Sequence, residues 1–460
     1  MTSTIRSPLT FQRLIAVLSL ALAACSSEEA PATDAGLADA FVADAGGSDG
    51  GLSDSGPMDA SLADGGVNDA GSLDASDLGC VYPSLMCGDV CSPCPSAAGV
   101  LSVDCAATTC VAVGCHAGYF LHEGTCIAGG WVRGSIATVG DTAGLVYLGD
   151  VAIALDSASH VHVAYYDYAN SNVRHASLTT LGWVSAVVTE AAAMRPPLSL
   201  SIDGSDHPMI AARRASDSAL VVVRYTGSAW DTQVVDAAGS AASLAFDPSD
   251  VPHLAYHDAS GDTLRYASLV GSAWETSVVA SATQLLGPPS LAFSADGTPN
   301  IAFHDEAANT LRFARRSAGT WTTVTVDAGG DVGPLPSLAM DASGHGHVAY
   351  ATRSSNTLMY AVEGATEWTT TSVGAPGMNG GAQSLALASD GTPRFTFERR
   401  SDHSLGYITP AGTGWRLGTA DADALAGYHS MLVLDAANYP HIIYSDFTGF
   451  TVKYATLRAD

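Results

Sequence analysis

The amino-acid sequence predicts an all-β protein dominated by a seven-bladed β-propeller of four-stranded blades, and two series of regularly spaced residues carry this prediction. Seven tryptophans follow one another at intervals of 44 or 47 residues after a first interval of 52, at Trp131, Trp183, Trp230, Trp274, Trp321, Trp368 and Trp415. A second series has intervals of 44 or 47 residues throughout, at His162, Met209, His253, Asn300, His347, Arg394 and His441. Two independent markers with a common period indicate a structural repeat.

Each repeat contains four short runs of β-forming residues. In one representative unit the runs are 243–247, 252–258, 263–267 and 274–279, and they are separated by Gly, Ser, Asp and Pro. Runs of this length and composition are typical of strands, and the stretches between them have no helical period. Four strands in each repeat match one blade of a propeller.

The two ends of the repeat region predict how the ring closes. The seventh unit, 430–457, stops before a tryptophan strand, whereas the strand of Trp131 precedes the first complete unit. We therefore expect the N-terminal strand to complete the last blade, because this exchange closes the ring and covers both sheet edges. The predicted propeller spans 127–460.

The repeat resembles sequences in exported bacterial proteins and, more distantly, the repeats of sialidase-type and fucose-lectin propellers. This resemblance covers about 330 residues. It implies the propeller fold but no single function, because one fold hosts many unrelated activities.

The N-terminal 25 residues predict export and lipid attachment. Two arginines, Arg6 and Arg13, precede an apolar run from Leu14 to Ala24 that is too short to span a bilayer. The run ends in Leu-Ala-Ala before Cys25, which resembles a bacterial lipobox; an ordinary cleaved signal peptide is the alternative. The resemblance implies a lipid on Cys25 and, because Ser26 rather than Asp follows, an outer-membrane lipoprotein that faces the cell surface or the periplasm.

An acidic segment, 26–79, predicts a disordered tether. It contains 12 acids and no Lys or Arg, and aspartate occupies every fifth position from Asp34 to Asp74. A period of five suits neither a helix nor a strand, and the segment has few large apolar groups with which to form a core. Calcium binding by the Asp repeat is the alternative, although calcium-binding repeats of exported proteins use a nine-residue period. No other cofactor and no metal site is expected.

A cysteine-rich module, 80–126, follows the tether. Because the chain is expected to be exported, its even number of cysteines predicts about four disulfides among Cys80, Cys87, Cys91, Cys94, Cys105, Cys110, Cys115 and Cys126. Their connectivity stays open, and the spacing that begins at Cys87 could also suit zinc. The segment from Cys115 to Tyr119 resembles the last loop of an EGF-like module, but it lacks the usual preceding Cys-x-Cys. A spacer role is expected.

The overall charge bears on the class of partner. The formal net charge is −27, from 46 acids and 19 bases. Nucleic acid is therefore excluded as a partner, because phosphate binding requires a basic surface.

Comparison of the blades separates structural charges from candidate functional ones. Blades one, three, four and seven have an acid followed seven residues later by a cation, at Asp167 and Arg174, Asp258 and Arg265, Asp305 and Arg312, and Asp446 and Lys453. We expect Asp258 to face Arg265 across a hairpin whose turn is Gly261-Asp262, so that the pairs are structural. The repeating tryptophans are expected to pack between blades rather than to bind sugars, and the marker histidines to be hydrogen-bonded strand residues.

Blades two, five and six lack the acid and carry arginines instead. These arginines are predicted to lie on one face of the ring, where the hairpins between second and third strands meet the connections between blades. Unpaired guanidinium groups suit carboxylates. The sequence therefore predicts a binding face for an anionic glycan or a protein partner, formed by Arg195, Arg213, Arg214, Arg353, Arg399 and Arg400.

An enzymatic function is the less favoured hypothesis. The sequence has no sialidase-type Ser-x-Asp-x-Gly-x-x-Trp box, no Gly-x-Ser-x-Gly elbow and no phosphate-binding loop. Some seven-bladed polysaccharide lyases use histidine and tyrosine as base and acid, and Tyr256, His257 and His304 resemble that arrangement. We therefore expect a surface-tethered binding or scaffold module, with a carbohydrate-active lyase or sialidase-like glycosidase as the alternative.

Overall fold

A computed structural model of the protein describes 84–87, 90–93, 100–106, 109–115, 119–122, 125–139, 150–188, 194–258, 260–281, 285, 287–374, 379–423, 425 and 427–459. Cys25, the tether and Cys80 lie outside these residues. The side chains of the remaining module cysteines are also outside the description, so their disulfides stay predictions. Every regular element in the described ranges is a strand. None of these residues forms a helix long and apolar enough to cross a membrane.

Five short strands precede the propeller. They are β1 (Ser84–Cys87), β2 (Val90–Pro93), β3 (Val100–Ala106), β4 (Thr109–Cys115) and β5 (Tyr119–His122). Strand β1 pairs with β2 and β3 with β4, both antiparallel. Strand β5 pairs with the beginning of the long strand β6 (Thr125–Thr138), which continues into the propeller.

Six blades are consecutive antiparallel sheets of four strands. The first three comprise β7 (Val151–Leu155), β8 (Val161–Asp167), β9 (Asn172–Thr179) and β10 (Gly182–Val187); β11 (Met194–Ile202), β12 (Pro208–Arg214), β13 (Leu220–Tyr225) and β14 (Trp230–Asp236); and β15 (Gly239–Phe246), β16 (Pro252–Asp258), β17 (Thr263–Val270) and β18 (Ala273–Ser281). The next three comprise β19 (Ser290–Phe293), β20 (Pro299–Asp305), β21 (Thr310–Ser317) and β22 (Thr320–Asp327); β23 (Ser337–Met340), β24 (Gly346–Ala351), β25 (Leu358–Glu363) and β26 (Trp368–Ser372); and β27 (Asn379–Leu387), β28 (Pro393–Arg399), β29 (Ser404–Ala411) and β30 (Gly414–Asp421).

The seventh blade confirms the predicted closure of the ring. Its first three strands are β31 (Tyr428–Leu434), β32 (Pro440–Asp446) and β33 (Thr451–Ala459), and β6 is its fourth strand. Strand β6 pairs antiparallel with β33 from Thr138 opposite Thr451 to Gly129 opposite Ala459. The first strands of all neighbouring blades contact each other, including β31 with β7, so the first strand of each blade lines the central axis.

Serine side chains join most of the inner strands. The Oγ atom of a serine in one blade accepts a hydrogen bond from a leucine N–H in the next, at distances of 2.9–3.1 Å. The pairs are Ser199 with Leu244, Ser243 with Leu291, Ser290 with Leu338, Ser337 with Leu385, and Ser384 with Leu432. We call this run of blades two to six the serine arc. The equivalent residues in blades seven and one are Met431 and Ala152.

The core lies between the blades, and the tryptophans belong to it. Each tryptophan is half-buried. Several contact, edge-on, an aromatic ring on the third strand of the preceding blade. The ring centroids are 5.4 Å apart for Trp183 and Tyr454, and 5.1 Å apart for Trp321 and Tyr266. Such contacts stabilise aromatic pairs by about 1 kcal/mol beyond the buried area. The prediction that these residues pack between blades is confirmed.

The hairpin register differs from the predicted one. Asp258 lies opposite Thr263, and Tyr256 lies opposite Arg265, so the loop is 259–262 rather than a two-residue turn. Arg265 nevertheless reaches Asp258 diagonally, with Nη1 3.2 Å from Oδ2, because its side chain is long. Equivalent ion pairs join Arg312 to Asp305 and Lys453 to Asp446, so these charges are structural in blades three, four and seven.

In blade one, the equivalent residues have other partners. Asp167 accepts from the Asn170 amide at 2.8 Å, and Arg174 donates from Nε to the Ser185 Oγ at 3.1 Å. The sequence comparison therefore identified a structural role for both residues but not their contacts.

Candidate functional site

Two kinds of connection share one face of the ring. Because the strands of a blade are antiparallel, the hairpin between the second and third strands lies at the same end as the connection to the next blade. We call this the hairpin face, and all six predicted binding arginines lie at strand ends or loops on it. The turns between the first and second strands lie on the opposite face.

Three of the six arginines already have acidic partners. Arg214 donates two hydrogen bonds to the Asp217 carboxylate, at 2.9 and 2.6 Å. Arg353 makes a bidentate contact with Glu306 of the preceding blade. The expectation that these guanidinium groups lack acids is wrong, because acids elsewhere in the loops replace the missing hairpin aspartate.

Arg399 is the third arginine with partners. It donates to the Thr419 hydroxyl at 2.9 Å and lies 3.5 Å from Asp402. Its Nε is buried without a hydrogen-bond partner among the described residues. The neighbouring Arg400 is exposed at the start of the hairpin loop.

Arg195 and Arg213 form a different arrangement in blade two. They lie directly opposite each other on β11 and β12, next to a bulge between Arg195 and Ser199. Arg195 is exposed and Arg213 is half-buried, with its Nε buried and without a hydrogen-bond partner among the residues that the structure describes. Neither has an acidic partner within that part of the chain. Like charges that face each other across a ladder are destabilising, and a bound anion would relieve this cost.

A funnel opens at the centre of the hairpin face. It encloses about 180 Å³ and is lined by the residues that begin the inner strands, among them Pro197, Pro288, Pro289, Leu335 and Pro336. The five serines of the arc, on the first strands of blades two to six, also line it. The walls are therefore mostly apolar with regularly placed hydroxyl groups.

One histidine interrupts the apolar rim of this funnel, and a buried aspartate contacts it. His429 lines the funnel, and its Nδ1 is 3.3 Å from Oδ1 of Asp150, whose side chain is 5% exposed. His429 lies in a bulge of β31 and has a φ of 51°, in the left-handed region. A buried carboxylate on Nδ1 fixes the orientation of the ring and leaves Nε2 for another partner.

A second histidine–carboxylate pair lies beside the first. His403 Nδ1 is 2.6 Å from Oε1 of the buried Glu398 and 3.0 Å from the Tyr428 hydroxyl. Tyr428 stacks on Phe447 with centroids 4.2 Å apart, and Phe447 meets His429 edge-on. Burial, together with the charge of Glu398, raises the pKa of Tyr428 to about 12. Its hydroxyl is therefore protonated at neutral pH.

Sequence reasoning missed this aromatic cluster. The signal that could have found it is a departure from the repeat. Position 447 is equivalent to Arg400 and Arg353 in the two preceding blades, and position 429 is equivalent to Leu335 two blades earlier. At position 447 an aromatic ring replaces a loop cation, and at position 429 a histidine replaces an apolar rim residue.

The marker histidines are hydrogen-bonded strand residues, as predicted. His253 and His441 each have Nδ1 2.6 Å from a tyrosine hydroxyl, and His347 makes the same contact with Tyr360. Burial lowers the pKa of His253 and His347, although nearby aspartates oppose the change. The described residues include no cluster of His, Cys, Asp or Glu suited to a metal ion.

The three residues of the lyase alternative do not form an open site. Tyr256 is fully buried and donates its hydroxyl to Asp236 of the preceding blade at 2.8 Å, and burial raises its pKa. His304 is 3% exposed, and burial lowers its pKa. His257 is half-buried, with burial lowering its pKa. A polymer substrate does not reach Tyr256 or His304, so this catalytic assignment is corrected.

Comparisons with known proteins find distant similarity to solved structures only. No protein-family model matches the sequence, and no curated protein matches it. A solved ulvan lyase, described as a new family of polysaccharide lyase, is 12% identical with a TM-score of 0.49 over 67% of this chain and 94% of its own. YCF48 with a bound D1 peptide is 10% identical, with a TM-score of 0.47 over 72% and 95% of the two chains.

A third structure is a protein of unknown function from Dyadobacter fermentans. It is 11% identical with a TM-score of 0.43, over 57% of this chain and 94% of its own. These are similarities of fold, and the strand topology itself defines this chain as a seven-bladed β-propeller.

Proposed function

We propose that the chain is an exported, lipid-anchored binding protein whose propeller recognises an acidic glycan through its hairpin face. The lipobox-like segment that ends at Cys25 supports an acyl anchor in the outer membrane. The 54 residues of the acidic tether would span roughly 40 Å as a coil, and more under charge repulsion. The cysteine module would then serve as a stapled spacer between tether and propeller.

The observation that carries the proposal is the facing pair of Arg195 and Arg213. Two guanidinium groups on one side of a sheet provide several N–H donors in fixed planes, a geometry that suits carboxylates. Within a chain of net charge −27, such a pair without a described acidic partner is chemically exceptional. A polyanion that carries one carboxylate per sugar would bind there.

The nearby funnel and aromatic cluster favour a glycan over a protein carboxylate. Tyr428, Phe447 and His403 form a partly exposed stack next to the funnel rim. Aromatic faces and proline rings can pack against the apolar face of a sugar ring, while the funnel hydroxyls can meet its oxygens. A protein partner is the outcome to consider if no polysaccharide binds.

Binding of polygalacturonate to the full chain tests the proposal, with dextran as the neutral control. We expect Arg195→Ser with Arg213→Ser to weaken polygalacturonate binding by at least about tenfold, and added salt to weaken wild-type binding. Arg214→Ser is the matched control, because this neighbouring arginine is already held by Asp217. Equal binding of polygalacturonate by the double variant and the wild type would overturn the assignment of the two arginines.

One observation favours a second candidate, a uronate lyase. His403 carries Glu398 and Tyr428 on the same ring nitrogen, so Nε2 could take the C5 proton of a uronate while the Tyr428 hydroxyl protonates the departing oxygen. The exposed Arg400 could offset the carboxylate charge. Ultraviolet absorbance of the unsaturated product, formed by the wild type and lost in His403→Gln, would support this chemistry; its absence would leave the binding function.

A further inference from the structure

Residues at the funnel rim share one structural position of the repeat, and four of its seven occurrences, Pro197, Pro288, Leu335 and His429, line the funnel. Its occupants, at intervals of 44 or 47 residues, are Asp150, Pro197, Ala241, Pro288, Leu335, Ala382 and His429. Five of the seven are apolar, and the two ionisable residues are adjacent and in contact. Ala241, Leu335 and His429 share a positive φ, so the backbone at these three positions is alike and only the side chain changes.

The serine arc provides donors below this rim. Each of its five Oγ atoms accepts a backbone N–H from the next blade, which leaves the hydroxyl hydrogen for a different acceptor. The same five side chains line the funnel. Oxygen atoms of a ligand on the axis would therefore meet hydroxyl donors from several sides.

The size of the funnel limits what can enter. A cavity of ~150 Å³ holds one benzene-sized ring, and this funnel encloses about 180 Å³. One six-membered ring fits, whereas two consecutive sugars do not. Proline walls suit the C–H faces of a pyranose, and the hydroxyl belt and His429 Nε2 suit its oxygens.

We infer that the funnel holds the terminal ring of an acidic glycan, so that the protein recognises chain ends rather than internal segments. This inference rests on the proposed function. Arg195 lies two residues before Pro197 of the rim, so the arginine pair is placed to bind a carboxylate of the sugars that lie outside the funnel. Asp150 orients His429 toward the terminal ring.

The repeat itself supplies substitutions that should preserve the fold. His429→Leu gives blade seven the rim residue of blade five, where the same positive φ exists, and Asp150→Ala removes the carboxylate that contacts His429. Leu335→Trp fills the funnel with a large side chain. Leu425→Trp is its matched control, because Leu425 has a similar φ of 63° and is exposed but does not line the funnel.

The deciding experiment measures protein bound per gram of polygalacturonate before and after the polymer is cut into shorter chains. We expect the bound amount to rise in proportion to the number of chain ends. Leu335→Trp should weaken binding of a short galacturonate oligomer by at least about tenfold, and Leu425→Trp should not. The rim double variant should weaken it severalfold, with an unchanged melting temperature.

Two negative outcomes are distinguishable. Bound protein that follows polymer mass rather than chain ends, with wild-type affinity in Leu335→Trp, would overturn end recognition and leave the arginine-based function intact. No binding of polygalacturonate at any chain length would overturn the proposed function, and the inference with it.

Discussion

The serine arc and the closing seam differ in how neighbouring blades are joined. In the arc, a serine side chain in each inner strand accepts a backbone hydrogen bond from the next blade. At the seam, where blades seven and one meet, the equivalent residues are Met431 and Ala152, and blade seven is closed by pairing of β6 with β33 over nine residue pairs. The seam also carries Asp150 and His429, and the aromatic cluster lies at the neighbouring junction of blades six and seven.

This difference separates positions that hold the ring together from positions that are free to serve the proposed binding function. Where side chains hold the ring together, repeats must keep the same residues, and the arc does so in five successive blades. Where strand exchange closes the ring, residues of the inner strands need not form the serine hydrogen bond between blades. Other side chains can therefore occupy these positions. The funnel part of the proposed ligand site therefore departs from the repeat at the seam, whereas its arginine pair lies in blade two. Five predictions test this contrast.

Removal of the exchanged strand should have the largest effect. A chain that begins at residue 139 lacks β6, which leaves β33 as an open edge and exposes Trp131's packing partners on blade six. We expect the free energy of unfolding to fall by roughly 5 kcal/mol or more, which is comparable to the whole stability of many domains. A chain that begins at residue 125 retains β6 and is the control; calorimetric unfolding of both chains provides the measurement, and equal stability would contradict strand-exchange closure.

Asp421 anchors the same strand to blade six, and its loss should have the next largest effect. Its buried carboxylate accepts hydrogen bonds from Arg133 and from the Tyr444 hydroxyl, both at 2.7 Å. Asp421→Ala leaves these groups without an acceptor and should lower the free energy of unfolding by about 3 kcal/mol. Asp423→Ala, at an exposed acid that also contacts Lys453, should cost about 0–1 kcal/mol by comparison. Urea unfolding distinguishes them, and equal losses would exclude an anchoring role.

The same residue predicts acid sensitivity. Burial alone would raise the pKa of Asp421, but hydrogen bonds from Tyr444, a backbone N–H and Arg133 outweigh it and hold the pKa below its usual value. A lowered folded-state pKa stabilises the fold above the ordinary aspartate value of about 3.9, and this stabilisation is lost as the pH falls through the folded value. Melting temperatures from pH 7 to pH 3 should fall more steeply in wild type than in Asp421→Asn; parallel curves would refute the assignment.

A serine substitution in the arc should have a moderate effect. Ser337→Ala removes the acceptor for the Leu385 N–H, which is otherwise buried, and should cost about 1 kcal/mol. Ser343→Ala changes an exposed turn serine and should leave stability unchanged. If both variants unfold at the same urea concentration, the arc hydrogen bonds contribute nothing and the contrast with the seam fails.

The smallest effect concerns a paired arginine on the hairpin face. Asp217 holds Arg214, and this hydrogen bond lowers the pKa of Asp217 to about 2. Asp217→Asn weakens the pairing at a fully exposed site, so the melting temperature should not change. Arg214 lies on the same hairpin face as Arg213, so its release should raise polygalacturonate affinity by about two- to threefold. A fall in affinity would show that Asp217 itself contributes to binding.

The repeat made most of the fold predictable from sequence. Trp131 stands outside the first complete unit, and this single offset predicted the exchange of β6 into the last blade. The hairpin register was not predictable to the same degree. Asp258 and Arg265 interact diagonally, and covariation of two charges does not distinguish a facing pair from a diagonal one.

The site was predictable only in part. Loss of the hairpin acid correctly placed the six arginines on the hairpin face, but it did not predict the partner of Arg353. That partner is Glu306, 47 residues away, which only the stacking of blades brings near. The same stacking brings Asp150 to His429 across 279 residues. Contacts between blades depend on the curvature of the ring, and local sequence patterns do not predict this curvature.

Amide hydrogen exchange of the full chain, with and without polygalacturonate, tests the central claim most directly. The account predicts slower exchange with ligand at 194–195 and 427–431, where the arginine pair and the funnel rim lie, and no change in the opposite-face turn at 247–251. Protection confined to the opposite face, or protection spread evenly over the serine arc and the seam, would contradict it.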